Sequence, residues 1–276
     1  MVARIFFVVA VALLTVQGLN ANNLSKRNIA DDLKSKLQSA ASNLIDTATK
    51  LTEAAELQAK LDIQEILDHV KEEVEKALAI AKDAVAKIKG IAHEIADKVK
   101  DAIDKAKQVL SDLKDKAEAK IASFIEQLKE YGEAALTCVY GNRDNITSVI
   151  ESAASKVISC TIAVGQEAEP IVKDAIETAA RLADLGAKAA TITATCGAAS
   201  IAALPCVLAQ GVAVLGQVAS DITTITKDVT DIVERAPGLI QEIESCSAEV
   251  KTATSNVNSL IGNIQKCVDD YTSSAA

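Results

Sequence analysis

Apolar residues recur at intervals of three and four between Val70 and Leu128. Their mean spacing of about 3.6 residues is that of an α-helix rather than the 3.5 of a left-handed coiled coil. The same seam contains an eleven-residue repeat, which fills three helical turns, so that its members stack along one face. These members are Ala77, Ile88, Val99, Leu110 and Ile121. The pattern predicts one long amphipathic helix, or two, within residues 28–137.

Lysines follow the same period on both flanks of this apolar stripe, and acidic residues collect opposite it. Lysine stems extend an apolar surface while their ammonium groups reach water or phosphate. The predicted interaction stripe is Ile88, Ile95, Val99, Ile103, Leu110, Leu113, Ile121, Phe124 and Leu128. The flanking lysines are Lys76, Lys87, Lys89, Lys98, Lys100 and Lys120. Val109 stands where the repeat would place another lysine.

Two interpretations of this stripe remain open. Over residues 70–128 it resembles the eleven-residue-repeat helices of exchangeable apolipoproteins, and this resemblance implies a lipid-surface binder or lipid carrier. An alanine-rich helix packed on a neighbouring helix has the same pattern, with salt bridges between residues four apart. The stripe nearly lacks the Trp and Phe that anchor helices at lipid interfaces, which favours burial against the second half or against another copy.

Glycine and proline divide the second half, residues 138–276, into shorter predicted helices. These run from Asp144 or Asn145 to about Ala163, from Pro170 to Gly186, from Ala187 to Leu204, from Pro205 to about Arg235, and from Pro237 to Asp270. No segment has a sustained period of two, so no strands are expected. The predicted fold is all-α: a long amphipathic helix, or two, with a disulfide-stapled helical bundle.

A run of 32 residues between Lys188 and Asp221 contains no charge. Pro205 divides the run, and Thr, Ser, Gln and Gly dilute its apolar character. We therefore expect a buried helical hairpin, with entry into a membrane as the alternative.

The first 18 residues have the features of a secretory signal: Arg4 precedes an apolar run from Ile5 to Leu14, and Gly18 offers a small residue for cleavage. Residues 19–27 form a short segment that ends in Lys26–Arg27, a candidate second trimming site. Losing Arg4 changes the formal charge from −9 to −10. Because nucleic-acid phosphates require a basic surface, no nucleic-acid partner is expected.

All six cysteines lie in the second half: Cys138, Cys160, Cys196, Cys206, Cys246 and Cys267. In an exported chain they predict three disulfides, with fifteen possible pairings. If the helices run up and down, Cys138 and Cys160 lie too far apart to bond. Cys138 with Cys246 is the first pairing to expect. Asn145 begins an Asn-Ile-Thr sequon and is a candidate glycosylation site, expected in the turn between the halves.

The cysteine spacing, on a helical domain rich in Ala, Thr and Val behind a signal peptide, is similar to that of insect secreted proteins of the tsetse EP type. The similarity covers the C-terminal half only, and the glutamate-proline repeat of that family is absent apart from Glu169–Pro170. It implies a secreted protein of a gut or body fluid with no catalytic residues.

The sequence contains no motif that is typical of a catalytic site. His69 and His93 are the only histidines, and neither begins an H-E-x-x-H pair. No nucleophile elbow, phosphate-binding loop, dinucleotide fingerprint or Cys/His cluster occurs, so we expect neither catalytic residues, nor a metal, nor a cofactor. The predicted function is that of a non-catalytic extracellular protein that binds a protein partner or itself. The alternative is a lipid binder that uses residues 70–128.

Overall fold

The computed structural model describes residues 31–53, 63–197 and 201–274. Within these ranges the chain is almost entirely helical and contains no strand, which confirms the predicted all-α class. Signal residues 1–18, segment 19–27 and the Lys26–Arg27 pair lie outside the described residues. The helices are α1 (31–53), α2 (Ile63–Leu128), α3 (Glu133–Gln166), α4 (Glu169–Cys196), α5 (Leu204–Cys246) and α6 (Ala248–Ser274).

Two glycines separate helices because their backbones adopt positive φ angles. Gly132 has φ 84° and ψ −179° between the short 3₁₀ turn Lys129–Tyr131 and α3. Gly197 has φ 87° and ψ 176° directly after α4. Residues with a Cβ rarely adopt this conformation, so glycine is needed at both turns.

The chain divides into two compact units. Unit 1 contains the described residues up to His93 together with Ala168–Pro237. Unit 2 contains Glu94–Glu167 and the described residues from Gly238 onward. Each unit therefore takes residues from both sides of the compositional boundary at 137/138, which falls inside unit 2.

The core of unit 1 is built from aliphatic side chains of α1, α2, α4 and α5. The largest fully buried side chains include Leu33, Leu37, Leu44, Ile88, Leu182, Leu215, Ile222, Ile225 and Ile232. The helices α4 and α5 are antiparallel, because Cys196 pairs with Cys206 and Arg181 meets Asp221 farther along the same pair. Burial of aliphatic area is the main force that holds such a core together.

The core of unit 2 is formed by α2, α3 and α6. It contains Phe124 and otherwise Ala, Val, Leu and Ile. Its fully buried members are Ala117, Leu128, Ala135, Val139, Val157, Val257 and Ile264. The helices α3 and α6 pack directly against each other. They are antiparallel, because the Cys138–Cys267 disulfide and the Lys156–Glu249 ion pair join them at two levels.

Several predicted helix boundaries are wrong. A helix was expected to begin at Asp144 or Asn145, but α3 begins at Glu133 and contains Gly141. Pro237 was expected to begin the last helix, but it lies inside α5, which ends at Cys246. The expected helix starts near Pro170 and Pro205 are confirmed, because Pro170 lies in the first turn of α4 and Pro205 follows Leu204 in α5.

Gly186 was expected to end a helix, yet α4 continues to Cys196. A Cβ at this position would lie 2.6 Å from Cδ1 of Leu78 on α2. The glycine therefore provides room for the neighbouring helix of unit 1. Gly165 has a similar role in unit 2, where a Cβ would lie 3.1 Å from Cγ2 of Val99.

Candidate interaction surfaces

The apolar stripe of α2 faces the protein interior. Seven of its nine predicted members are buried: Ile88, Ile95, Leu110, Leu113, Ile121, Phe124 and Leu128. Val99 and Ile103 are half-buried. In the folded chain the stripe is therefore core rather than free surface, as expected for a helix that packs on its neighbours.

The flanking lysines lie on the surface, as predicted from the repeat. Lys76, Lys89, Lys98, Lys100 and Lys120 are exposed, and Lys87 is half-buried. Some pair with acids one turn away: Lys76 Nζ lies 2.8 Å from Glu72 Oε1, and Lys87 Nζ lies 2.9 Å from Asp83 Oδ2. The hydrogen bond to Glu72 raises the pKa of Lys76 to about 12. Such exposed pairs add little to stability.

All six cysteines form disulfides: Cys138–Cys267, Cys160–Cys246 and Cys196–Cys206. The expected Cys138–Cys246 pair is wrong because α5 continues through Pro237. Cys246 therefore ends α5 and meets Cys160, with a Cα–Cα distance of 5.8 Å. Cys267 lies farther along α6 and reaches Cys138, with a Cα–Cα distance of 6.7 Å. The exclusion of a Cys138–Cys160 pair is confirmed.

The described aromatic residues gather at one end of unit 2. Phe124 is buried in the last turns of α2, and Tyr131 follows in the 3₁₀ turn before α3. Tyr140 lies two residues after Cys138, and Tyr271 lies one helical turn after its disulfide partner Cys267. The tyrosines are 38%, 45% and 37% exposed in chain order. We call Tyr131, Tyr140 and Tyr271 the tyrosine end of unit 2.

Asn145 is exposed, but it lies inside α3 rather than in the expected turn. The turn forms instead at Gly132, where the positive φ angle breaks the helix. Glycosylation of Asn145 stays a prediction. His69 and His93 are exposed on α2, and no group of three metal-ligating side chains occurs among the described residues.

A cleft of about 440 Å³ opens in unit 2 between α2 and the junction of α5 with α6. Its apolar lining comes from Ala102, Ala106, Val109, Ile240, Ile243 and Val250. Lys98, Lys105 and Lys251 also line it, together with Asp101 and Glu244. The volume lies within the range of about 300–1,000 Å³ that small-molecule sites occupy.

Asp228 on α5 is a buried carboxyl group in unit 1, with only 4% of its surface exposed. Its Oδ2 atom has no hydrogen-bond partner among the described residues. Burial, and then the negative charges of Asp174 and Asp231, raise the pKa of Asp228 to about 6. Sequence reasoning missed this residue, although its spacing from Ile225 and Ile232 places it on the apolar face of α5.

The described residues of the uncharged run form the end of α4, the short 3₁₀ turn Ile201–Ala203 and the start of α5, and the Cys196–Cys206 disulfide joins the two helices. The expected helical hairpin is present, but only one face of it is buried; Thr191, Thr193 and Thr195 are exposed. By length and composition alone, the stretches Ala135–Cys196 and Leu204–Ser273 could each cross a membrane. Core helices of water-soluble bundles share these properties, so this is weak support for the membrane alternative.

No protein-family model matches the chain, and no curated protein matches it.

Proposed function

We propose that this is a secreted, non-catalytic helical protein that acts through protein–protein contact in an extracellular fluid. A second copy of the chain is the first partner to test. The observation that carries the proposal is that the three described tyrosines, Tyr131, Tyr140 and Tyr271, are all more than one-third exposed and lie near the end of unit 2 marked by the Cys138–Cys267 disulfide. Tyrosine is enriched at protein interfaces because it combines a large apolar ring with a hydroxyl group.

Three disulfides within the chain support an extracellular location, because such bonds persist in oxidising compartments. The proposal includes a signal peptide at residues 1–18 and a relationship to the secreted proteins of the tsetse EP type. The Cys138–Cys267 bond joins α3 to α6 beside Tyr140 and Tyr271. It fixes the two helices together at this level, and a surface on fixed helices loses less entropy on binding.

Lipid binding through residues 70–128 is the alternative function. It requires that the stripe leave the core, because most of its members are buried. The exposed surface of α2 carries lysines paired with acids one turn away, which is typical of a solvated helix face. These observations favour protein contact over lipid contact for the folded chain.

Sedimentation equilibrium of the mature, disulfide-intact protein tests the proposal. We expect a reversible dimer or higher oligomer, shifted toward monomer by Tyr140→Ser with Tyr271→Ser. Ile45→Ser with Ile176→Ser is the matched control, since it removes two exposed apolar side chains from unit 1. A monomer at every concentration, or equal weakening by both variants, would overturn the self-association form. Vesicle co-sedimentation of a monomer would favour the lipid alternative.

A further inference from the structure

In the cleft of unit 2, α2 presents small residues opposite the place where α5 and α6 meet. Ala102 and Ala106 face the junction at Ser247, where α5 ends and α6 begins. The amide of Ser247 donates to the carbonyl of Glu244 at 3.2 Å, and the amide of Val250 donates to the carbonyl of Ser247 at 3.1 Å. These bonds keep the junction compact.

The Cys160–Cys246 disulfide fixes the position of one wall of the cleft. Cys246, the last residue of α5, is joined to Cys160 on α3 and is 3% exposed. The neighbouring Ile243 is 2% exposed and forms part of the cleft lining. The cleft is therefore set between fixed helices, which reduces the free energy needed to order it on binding.

Val109 departs from the lysine repeat at this place. Positions 76, 87, 98 and 120 are lysine, whereas Val109 is apolar and 46% exposed. It lines the cleft, where it extends the apolar wall toward solvent. A lysine here would have placed a charged head beside that wall.

The charges around the cleft favour an anionic group. Lys98, Lys105 and Lys251 line it, and no described carboxylate lies within ion-pair distance of their ammonium groups. Asp101 and Glu244 also line it, so the lysines exceed the acids by one. An anion beside the lysines gains Coulomb attraction, which salt screens.

We propose that this cleft binds a single-chain anionic amphiphile, such as a fatty carboxylate, with its alkyl chain along Ala102, Ala106, Ile243 and Val109 and its carboxylate near the lysines. The site operates in the folded chain, so it does not require that the α2 stripe be exposed. Transfer of methylene groups from water into the cleft supplies the affinity, and the lysines orient the ligand.

Isothermal titration calorimetry with sodium laurate below its micelle concentration tests the proposal. We expect saturable binding of about one laurate per chain, weakened by added salt, as the apolar cleft and its lysines require. Dodecyltrimethylammonium has a similar chain and the opposite charge, and it should bind at least about tenfold more weakly, a difference of about 1.4 kcal/mol. Absence of saturable laurate binding, or equal binding of the two amphiphiles, would overturn the proposal.

Two variants locate the ligand. Ala102→Phe fills the cleft without a change in charge, and Val109→Gln removes its exposed apolar wall. Each should weaken laurate binding by about tenfold or more, whereas Ile162→Gln, at an exposed apolar position on α3 outside the cleft, should not. Circular dichroism checks that each variant folds. If a folded Val109→Gln protein binds laurate as tightly as the parent, the ligand lies elsewhere and the proposal fails.

The head-group contact is tested by replacing Lys98, Lys105 and Lys251 with Gln. The matched control replaces Lys107, Lys114 and Lys116, three exposed lysines of α2 that do not line the cleft. Only the first triple variant should lose the preference for laurate over dodecyltrimethylammonium. If both triple variants lose it equally, net charge rather than this site selects the ligand, and the proposal is overturned. Binding to anionic phospholipid vesicles without laurate binding would also overturn it.

Discussion

The two units have similar aliphatic cores but differ in their cross-links. Unit 2 has two disulfides that join residues 129 and 86 positions apart, whereas the disulfide of unit 1 joins residues 10 positions apart. In the chain-entropy description, longer closed loops restrict the unfolded chain more, by about 4–5 kcal/mol near 100 residues and about 3 kcal/mol for short loops. Both long loops also contain residues Ala168–Pro237 of unit 1, so they restrict the unfolded chain of both units. Unit 1 differs further in that it buries Asp228, whose Oδ2 atom has no hydrogen-bond partner among the described residues.

The largest difference between the two units should appear in the free energy of unfolding when one disulfide is removed from each unit. Replacing Cys160 and Cys246 by Ala should lower the free energy of unfolding by about 3–5 kcal/mol, because an 86-residue loop is released. Replacing Cys196 and Cys206 should lower it by about 1–3 kcal/mol. Urea unfolding followed by circular dichroism measures both. An equal or larger loss from the Cys196–Cys206 pair would contradict the comparison.

Asp228→Asn should stabilise unit 1, and the gain should depend on pH. The folded-state pKa of about 6 lies above the ordinary 3.8, so folding becomes less favourable as pH rises from about 4 to 6. Well below pH 3.8 the carboxyl is protonated in both states and the penalty vanishes. At pH 8 the variant should be more stable by about 1–3 kcal/mol, since Asn cannot ionise.

Urea unfolding at about pH 8 and pH 3.5 checks the Asp228 prediction. Asp184→Asn is the control, because Asp184 is exposed on α4 of the same unit and should change stability by no more than about 0.5 kcal/mol. If the gain from Asp228→Asn were larger at low pH, the burial of a charged Asp228 would be the wrong explanation.

Two glycine substitutions compare helix propensity with packing. Gly141→Ala in α3 of unit 2 should stabilise by about 0.5–1 kcal/mol, because Ala favours a helix and nothing lies within 4 Å of the added Cβ. Gly186→Ala in α4 of unit 1 should gain less or destabilise, because Leu78 must move. Thermal unfolding measures both shifts. An equal gain from the two substitutions would show that Leu78 moves freely.

Among the described residues, the ion pairs Arg181–Asp221 and Lys156–Glu249 join different helices, and they should give the smallest effects. Arg181 bonds to Asp221 at 3.2 Å and to the hydroxyl of Thr178 at 2.8 Å, and Asp221 is only 15% exposed. Lys156 and Glu249 are 62% and 43% exposed at 3.5 Å. We expect Arg181→Gln to destabilise by about 1 kcal/mol and Lys156→Gln by less than about 0.5 kcal/mol. A double-mutant cycle at each pair checks the order.

The sequence predicts much of this fold, because α-helical periodicity reports directly which face is buried. The burial of Ile88, Leu110 and Leu128 follows from spacing alone. The continuity of α3 through Gly141 and of α5 through Pro237 could not be predicted, because tertiary packing overrides local signals. The error at Pro237 led to the wrong partner for Cys138, since the pairing depends on where the last helix begins.

The cleft and Asp228 differ in how well they could be predicted from the sequence. The position of Asp228 between Ile225 and Ile232 on one helical face is a signal that could have been found. The cleft required knowledge of which helix junction lies opposite Ala102 and Ala106, and spacing does not contain that information. Val109 was the one visible sign, because it interrupts the lysine repeat.

Hydrogen–deuterium exchange across Val70–Leu128 of the intact protein, with and without anionic vesicles, tests most directly whether the α2 stripe belongs to the core. We predict slow amide exchange along α2 in both units that vesicles leave unchanged, because the stripe is already buried by protein. Fast exchange in solution that becomes slow on vesicles would contradict this account and would make the stripe a lipid-binding face.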